Sequence, residues 1–361
     1  MSAAAFPLVE IAGSPLARGR AYGEAARERV AASVALYRGR LAAIGWSADD
    51  TTAAARNYLP RLEAFAPDLV EEMRGIAEGA AVALEDIVLV NARTEIVAEA
   101  ARKVERDGCT GLVVLPSRSA DGRLIHAQTW DWLAQCADTA IVLKIRRDDG
   151  PDILTFTEAG GLARSGFNAA GISVSANYLR SDRDFLQPGI PLPFIRRRIL
   201  EQEHLALAIG QVIATPKAVS NNMMVAHRDG FAVDLECAPD EVFQILPEDG
   251  LIVHANHWIS PIARTKLRDM GLAGDPDSLY RDWRVETLLK PKARIARDDV
   301  VAALTDRFGY PYAVARPPLA EHDGNLSATV ALIVMDPEER RMDVAPMPAL
   351  GLAFTRYALT P

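Results

Sequence analysis

Cys109 follows a glycine and opens a β-prone run, in the stretch Arg106-Asp107-Gly108-Cys109-Thr110. An arbitrary cysteine is a small, apolar packing group. Gly108 changes the setting, because glycine allows backbone geometries and close approaches that other residues forbid. If the Gly108–Cys109 bond were cut, Cys109 would carry a free α-amino group with an ordinary pKa of about 7.7–8.0. Part of that amine would be unprotonated at neutral pH and could take the thiol proton. One residue would then supply nucleophile and base, with no histidine needed. The other two cysteines, Cys136 and Cys237, read as packing residues. No two of the three stand at CxxC spacing, which argues against a zinc ribbon or a disulfide framework and for a reducing compartment.

Asn256 lies in His254-Ala255-Asn256-His257-Trp258. Its side-chain N–H could donate to the oxyanion of a tetrahedral intermediate, a role whose loss costs roughly 2.7–4 kcal/mol of barrier. The plainer reading is a turn asparagine at a strand end. His254 and His257 stand at HxxH spacing, but no HExxH pattern exists and no acidic residue stands among them, so no metal is expected.

These residues need a scaffold, and its elements change character at Cys109. Before it the chain reads as helical: Arg18 to Ala43, rich in helix formers; about Ala53 to Phe65; Leu69 to Ala81; and Leu84 to Lys103, with Gly79 separating the last two. After it, Thr110 to Leu115 and Leu124 to Trp130 form a hairpin signature around Ser119 to Gly122. Further strands are expected at Thr139 to Ile145, Ile153 to Glu158 and Gly171 to Ala176. A helical section, Pro193 to Ile213, precedes strands at Asn222 to Ala226, Phe231 to Glu236, Val242 to Leu246 and Leu251 to His254. Helices at Leu279 to Leu289 and Asp298 to Arg307 lead to a closing pair of strands, Ser327 to Asp336 and Arg341 to Pro346. Leu272 to Pro276 reads as a surface loop. Runs of strands with helices before and between them argue an α+β architecture with antiparallel sheets.

The composition limits the function classes. The chain has 361 residues, 49% hydrophobic and 24% charged, which is enough apolar sequence for a large core. The net charge of -8 disfavours nucleic acid and anionic membrane surfaces. The densest basic run, Arg196-Arg197-Arg198, reads as one helix turn rather than a binding patch. The N-terminus lacks the pattern of a secretory signal, and no stretch approaches 18 apolar residues, so a cytoplasmic protein is expected.

Asp-Gly-Cys-Thr-Gly at 107–111, followed by HAQTWDW at 126–132, resembles the acyl-coenzyme A:6-aminopenicillanic acid acyltransferase family of N-terminal nucleophile hydrolases. The family is related to penicillin V acylases and bile salt hydrolases. GSPLARGRAYGEA near the start is similar to that family's GxxxxxGxxxG opening. EMRGIAEGAAVALEDIVLVNARTE, GFNAAGISVSAN, HANHW and the closing ATVALIVMDPEERRMDVAPMP are also similar to family segments, so the likeness covers most of the chain. It implies an αββα sandwich and a precursor that cleaves itself between Gly108 and Cys109. The products would be a helical α segment, 1–108, and a β segment, 109–361, that remain associated as one globular unit. It implies amide chemistry through an acyl-cysteine intermediate on a small-molecule amide substrate, with no cofactor.

On the same resemblance, Asp131 is the carboxylate near the nucleophile, able to orient the α-ammonium or the thiol. Asn256 is the oxyanion asparagine. Arg284 matches a helix arginine near the cysteine in related acylases, with Arg281, one turn earlier, as the alternative. Trp130 and Trp132 read as packing groups that could line the acyl pocket, and Asn177 and Tyr178 as further lining residues. Gln128 stands where bile salt hydrolases carry an arginine three residues before this aspartate, which points away from that branch. Two other readings stay open: an acyl-coenzyme A-dependent N-acyltransferase using the same acyl-enzyme, and a non-catalytic binding module on the same fold. Oligomeric state is open as well, a homo-oligomer included.

Overall fold

The computed structural model describes residues 4–101, 108–320 and 324–359. Among them the strands are β1 Leu8–Ile11, β2 Gly108–Val114, β3 Ile125–Leu133, β4 Ala140–Ile145, β5 Ile153–Glu158, β6 Ser165–Asn168, β7 Ile172–Tyr178, β8 Asn221–His227, β9 Phe231–Cys237, β10 Val242–Ile245, β11 Leu251–His254, β12 Leu319–Ala320, β13 Leu326–Asp336, β14 Arg341–Pro346 and β15 Thr355–Ala358. The helices are α1 Pro15–Ala25, α2 Arg27–Ala43, α3 Ala48–Arg56, α4 Leu59–Phe65, α5 Pro67–Ala80, α6 Leu84–Asn91, α7 Arg93–Ala101, α8 Cys136–Thr139, α9 Leu192–Leu200, α10 Leu205–Ala214, α11 Ala263–Lys266, α12 Ser278–Leu289 and α13 Arg297–Leu304.

The strands build two sheets. One runs β1-β4-β5-β6-β7-β8-β9-β10, antiparallel except for the parallel pair of β1 with β4. The other runs β11-β2-β3-β13-β14-β15, with β12 paired to β13. The sheets face each other where β2 and β3 cross β7 and β8. The N-terminal helices with α9 and α10 cover the outer face of the first sheet, while α12 and α13 cover that of the second. Every residue of β2 to β6 is buried, the polar ones of β3 and β6 included.

Alternation still decides which way each side chain faces. On β2, Leu112 and Val114 pack with Val285 and Leu289 of α12, while Val113 packs with Met224 and Ala226 of the opposite sheet. Cys109 shares the face of Val113, and Gly108 and Thr110 share the face of Leu112. On β3, Ile125 and Ala127 join the helix side, while His126 reaches across to Ser173 and Ser175 of β7, its ring nitrogens 2.8 Å from each hydroxyl. Burial pushes the His126 pKa down to about 3, so the ring bridges the sheets as a neutral group.

The helical expectations need several breaks. The long first helix is two, α1 and α2, divided at Ala26, and the second is α3 and α4. The span from Leu84 is also two helices, divided at Ala92. Its last two residues, Arg102 and Lys103, lie outside the described residues. Gly79 does not separate helices. It lies inside α5, which ends when Ala81 turns left-handed, at φ 58°. Strands β1, β6, β12 and β15 were not expected, and β1 places a strand inside the segment read as helical.

Gly79 and the glycines of the opening motif share one cause. Helix α1 crosses α5 at backbone contact, with Gly19 and Gly23 against Gly75 and Gly79. A Cβ on Gly19 would lie 2.1 Å from the Glu72 carbonyl oxygen, and one on Gly23 would lie 2.3 Å from that of Ile76. Neither contact can be relieved by a rotamer change. Gly23→Ala is expected to destabilise the protein by about 3 kcal/mol or more, the upper end for overpacking. Denaturant unfolding checks this, and a midpoint equal to the parent's would contradict the crossing.

Candidate functional site

Each part of Cys109 is held by a different group. The residue is 1% exposed. Its backbone N–H donates to Asn256 Oδ1 at 2.6 Å. Its carbonyl accepts from Arg281 Nη1 at 2.7 Å. Its Sγ accepts from Arg164 Nη2 at 3.5 Å. Arg164, in the turn between β5 and β6, lies 4.2 Å over the Trp130 ring, which pairs with Cys109 across β2 and β3. Trp130 therefore orients the arginine that touches the thiol.

The Asn256 amide has one consistent orientation. Oδ1 faces two donors, the Cys109 nitrogen and Arg281 Nη2 at 2.9 Å, while Nδ2 donates to the Tyr178 carbonyl at 2.9 Å. One Nδ2 hydrogen is thus committed, and the second is the one an oxyanion could use.

Arg281 carries the helix side of the site. Besides Cys109 O and Asn256 Oδ1, it donates to Thr110 Oγ1 at 2.9 Å and, through Nε, to Asp277 Oδ2 at 2.9 Å. Of the two arginines the sequence left open, Arg281 is the one at Cys109. Arg284 is a correction: it points away, pairs with Asp306 at 2.8 Å and stacks on Phe308. A three-residue step on a helix leaves the side chain about 60° short of a full turn, which sets Arg284 beside, not on, the buried stripe of Arg281, Val285 and Leu289.

Asp131 sits on the helix side too, in register with Gly108 rather than on the thiol's face. Its Oδ1 accepts from Thr329 Oγ1 at 2.6 Å, and its Oδ2 faces Arg316 Nε at 3.5 Å. Arg316 also pairs with Asp277. Burial would raise the Asp277 carboxyl, but Arg281 and Arg316 outweigh it and hold it below the usual range. A Cβ on Gly108 would fall 2.5 Å from Asp131 Oδ2 and 3.0 Å from the Arg316 guanidinium. Close approach, not an unusual φ, is what asks for glycine ahead of the cysteine.

The expected lining residues serve other ends. Asn177 donates to the carbonyls of His254 and Ala255 at 2.9 and 3.0 Å and accepts from Gln128 Nε2 at 2.7 Å, so it pins the chain entering Asn256. Tyr178 contributes its carbonyl to Asn256. Trp132 donates to Tyr37 Oη at 3.1 Å beneath the Arg93 guanidinium, in the helical layer. Arg164 and Arg316, which sequence reasoning missed, complete the site.

The two histidines of HANHW brace the loop. His254 Nε2 meets Glu236 Oε1 at 2.9 Å, and Glu236 accepts from the Ile259 and Ser260 nitrogens. His257 shares Ser278 Oγ with the Asn256 nitrogen. Among the described residues no group of three or more His, Cys, Asp or Glu could hold a metal. Burial of His254 opposes its charge, but Asp234 and Glu236 more than offset this and lift its pKa from 6.5 to about 9. A value raised by folding contributes stability that is complete below pH 6.5 and lost as pH rises through about 9. The thermal midpoint is expected to fall across that window, and His254→Gln should flatten the fall. An equal slope in that variant would remove His254 as the cause.

Two sheets packed face to face, clad by helices on both outer faces, with Cys109 second in a strand of one sheet, form a four-layer αββα sandwich. No family model matches the chain. Over 287 residues, 77% of this chain and 75% of the relative, it is 30% identical to the 40 kDa form of an acyl-coenzyme A:6-aminopenicillanic-acid-acyltransferase from Emericella nidulans. The chain belongs to the acyl-coenzyme A:6-aminopenicillanic-acid-acyltransferase family. It is also similar to the Caenorhabditis elegans ortholog of N-acylethanolamine-hydrolyzing acid amidase, at 17% identity and a TM-score of 0.47 over 70% of this chain and 100% of that one. Penicillin V acylase from Agrobacterium tumefaciens gives 12% identity and a TM-score of 0.45 over 70% of this chain and 86% of that one. No helix among the described residues is long and apolar enough to cross a membrane.

Proposed function

We propose that the protein is a self-processing cysteine amidohydrolase that cleaves the amide bond of a small N-acyl or peptide-like substrate. The observation that supports this most is the threefold hold on Cys109: nitrogen on Asn256, carbonyl on Arg281, thiol on Arg164. A packing cysteine has no use for it. In the first step Cys109 Sγ attacks the Gly108 carbonyl carbon, the C–N bond breaks as the nitrogen takes a proton, and a thioester forms. Water then hydrolyses the thioester, giving a Gly108 carboxylate, a thiol and an α-amine on Cys109. In turnover that amine takes the thiol proton, Sγ attacks the substrate carbonyl, the amine product leaves protonated, and water frees the acid. Asn256 Oδ1 is placed to keep the α-amine beside the thiol, and its second Nδ2 hydrogen serves the oxyanion.

Asp131 and Arg316 flank the scissile peptide on the face away from the thiol, so their part is to fix the Gly108 side of the bond. The name of the fungal relative favours a second reading, in which the acyl-enzyme passes its acyl group to an amine instead of water. Intact mass with N-terminal sequencing tests the processing: two fragments are expected, the larger beginning at Cys109. Amides and coenzyme A thioesters, each offered with and without an acceptor amine, separate hydrolysis from transfer. A single full-length chain that still turns over amides would overturn the α-amine mechanism.

A further inference from the structure

The arginine triplet of α9 divides its work. Arg197 pairs with Glu72 at 2.8 Å, and Arg198 pairs with Asp68 and Glu201 at 2.5 and 2.6 Å. Arg196 turns the other way, into a small cavity lined by Arg93, Glu158, Gly161, Ala163 and Arg164, the last of which reaches the thiol. It is 5% exposed and makes no hydrogen bond or ion pair among the described residues. Arg164 Nε, buried in the same wall, likewise has no hydrogen-bond partner there. Glu158 is taken by Arg93 at 2.7 Å. Burial first, then the charges of Arg164 and Arg93, pushes the Arg196 pKa down to about 9, and Cys109 and Glu95 offset this only in part. Glu95 is only a partial counter-charge at neutral pH, since burial lifts its own pKa to about 7.

A buried guanidinium without a matching anion is costly, and its planar fork fits a carboxylate. We propose that the substrate carries a carboxylate close to the scissile amide, bound by Arg196 together with Arg164. This rests on Cys109 being the nucleophile and narrows the substrate class of that site. Because Arg164 reaches Sγ itself, the bound carboxylate lies within a few bonds of the reacting carbonyl.

Alkylation of the Cys109 thiol tests this without any turnover. Iodoacetate and iodoacetamide are matched in size and differ in charge. The ratio of their rates at Cys109, read by peptide mass in the purified protein, is compared with the ratio for glutathione. The protein is expected to favour iodoacetate by about tenfold or more over that reference, the size of one charge-assisted hydrogen bond. Arg196→Gln should bring the ratio down towards that of glutathione, and Arg196→Lys should restore part of it. A native ratio equal to that of glutathione, or one unchanged in Arg196→Gln, would overturn the subsite.

Matched amides then locate the carboxylate. N-hexanoylglycine against its glycinamide places it on the amine side, and adipic acid monobutylamide against its methyl ester places it on the acyl side. At least one acid should exceed its neutral partner in kcat/KM, and a preference for both neutral partners would count against the proposal. Absent turnover with the alkylation preference intact would sink the hydrolase reading and leave the anion site standing.

Discussion

Cys109→Ala is expected to yield one polypeptide of full length that releases no amine from any amide. Both steps use the same sulfur, so one substitution removes processing and turnover together. The loss should be complete in each assay, because no neighbouring group replaces the thiol. Cys136 and Cys237 are buried elsewhere, and burial raises the pKa of each. Cys109→Ser separates the steps. A hydroxyl held by the same backbone can still attack the Gly108 carbonyl slowly, but it is the weaker nucleophile at neutral pH, so turnover should fall far more than processing. Denaturing electrophoresis and released-amine assays on the two variants decide the matter. A serine variant with full turnover would refute the argument from thiolate chemistry, and a cut Cys109→Ala chain would refute self-cleavage by this sulfur.

Asn256→Ala should lower kcat by a factor of about 100–1000, with a smaller change in KM, as expected for a group that matters most in the transition state. The side chain has two jobs, and Asn256→Asp distinguishes them. Aspartate keeps an acceptor for the Cys109 nitrogen and Arg281, but sets an oxygen against the Tyr178 carbonyl and removes the oxyanion donor. If gripping the nitrogen dominates, Asn256→Asp retains much more kcat than Asn256→Ala. If donation dominates, the two are equally poor. An effect confined to KM in both variants would remove Asn256 from the chemistry.

The strand core was readable, with β5, β11 and β14 at their observed bounds, because turn residues punctuate those runs. The short strands β1, β6 and β15 were not, since their pairing is set by distant partners rather than by local pattern. Cys109, Asp131 and Asn256 could be picked out by residue type and motif. Arg281 was named only as the alternative to Arg284, and Arg164, Arg196 and Arg316 were not picked out as site residues, because an arginine is ordinarily a surface residue. Spacing held an unused signal. Arg281 lies four and eight residues before Val285 and Leu289, on the buried stripe of α12, whereas Arg284 lies off it. Arg196 likewise stands four residues after Leu192 and three before Ile199, both buried.

Strand β1 belongs to the first segment of the chain yet completes an edge of a sheet whose other members follow Cys109. Tyr22 and Tyr37 reach into that later part as well, to the Gly161 carbonyl and the Glu158 carboxylate. A nick ahead of Cys109 would therefore leave two pieces that share one folding unit. An affinity tag at either end should retrieve both in equal amounts, and only denaturant should part them.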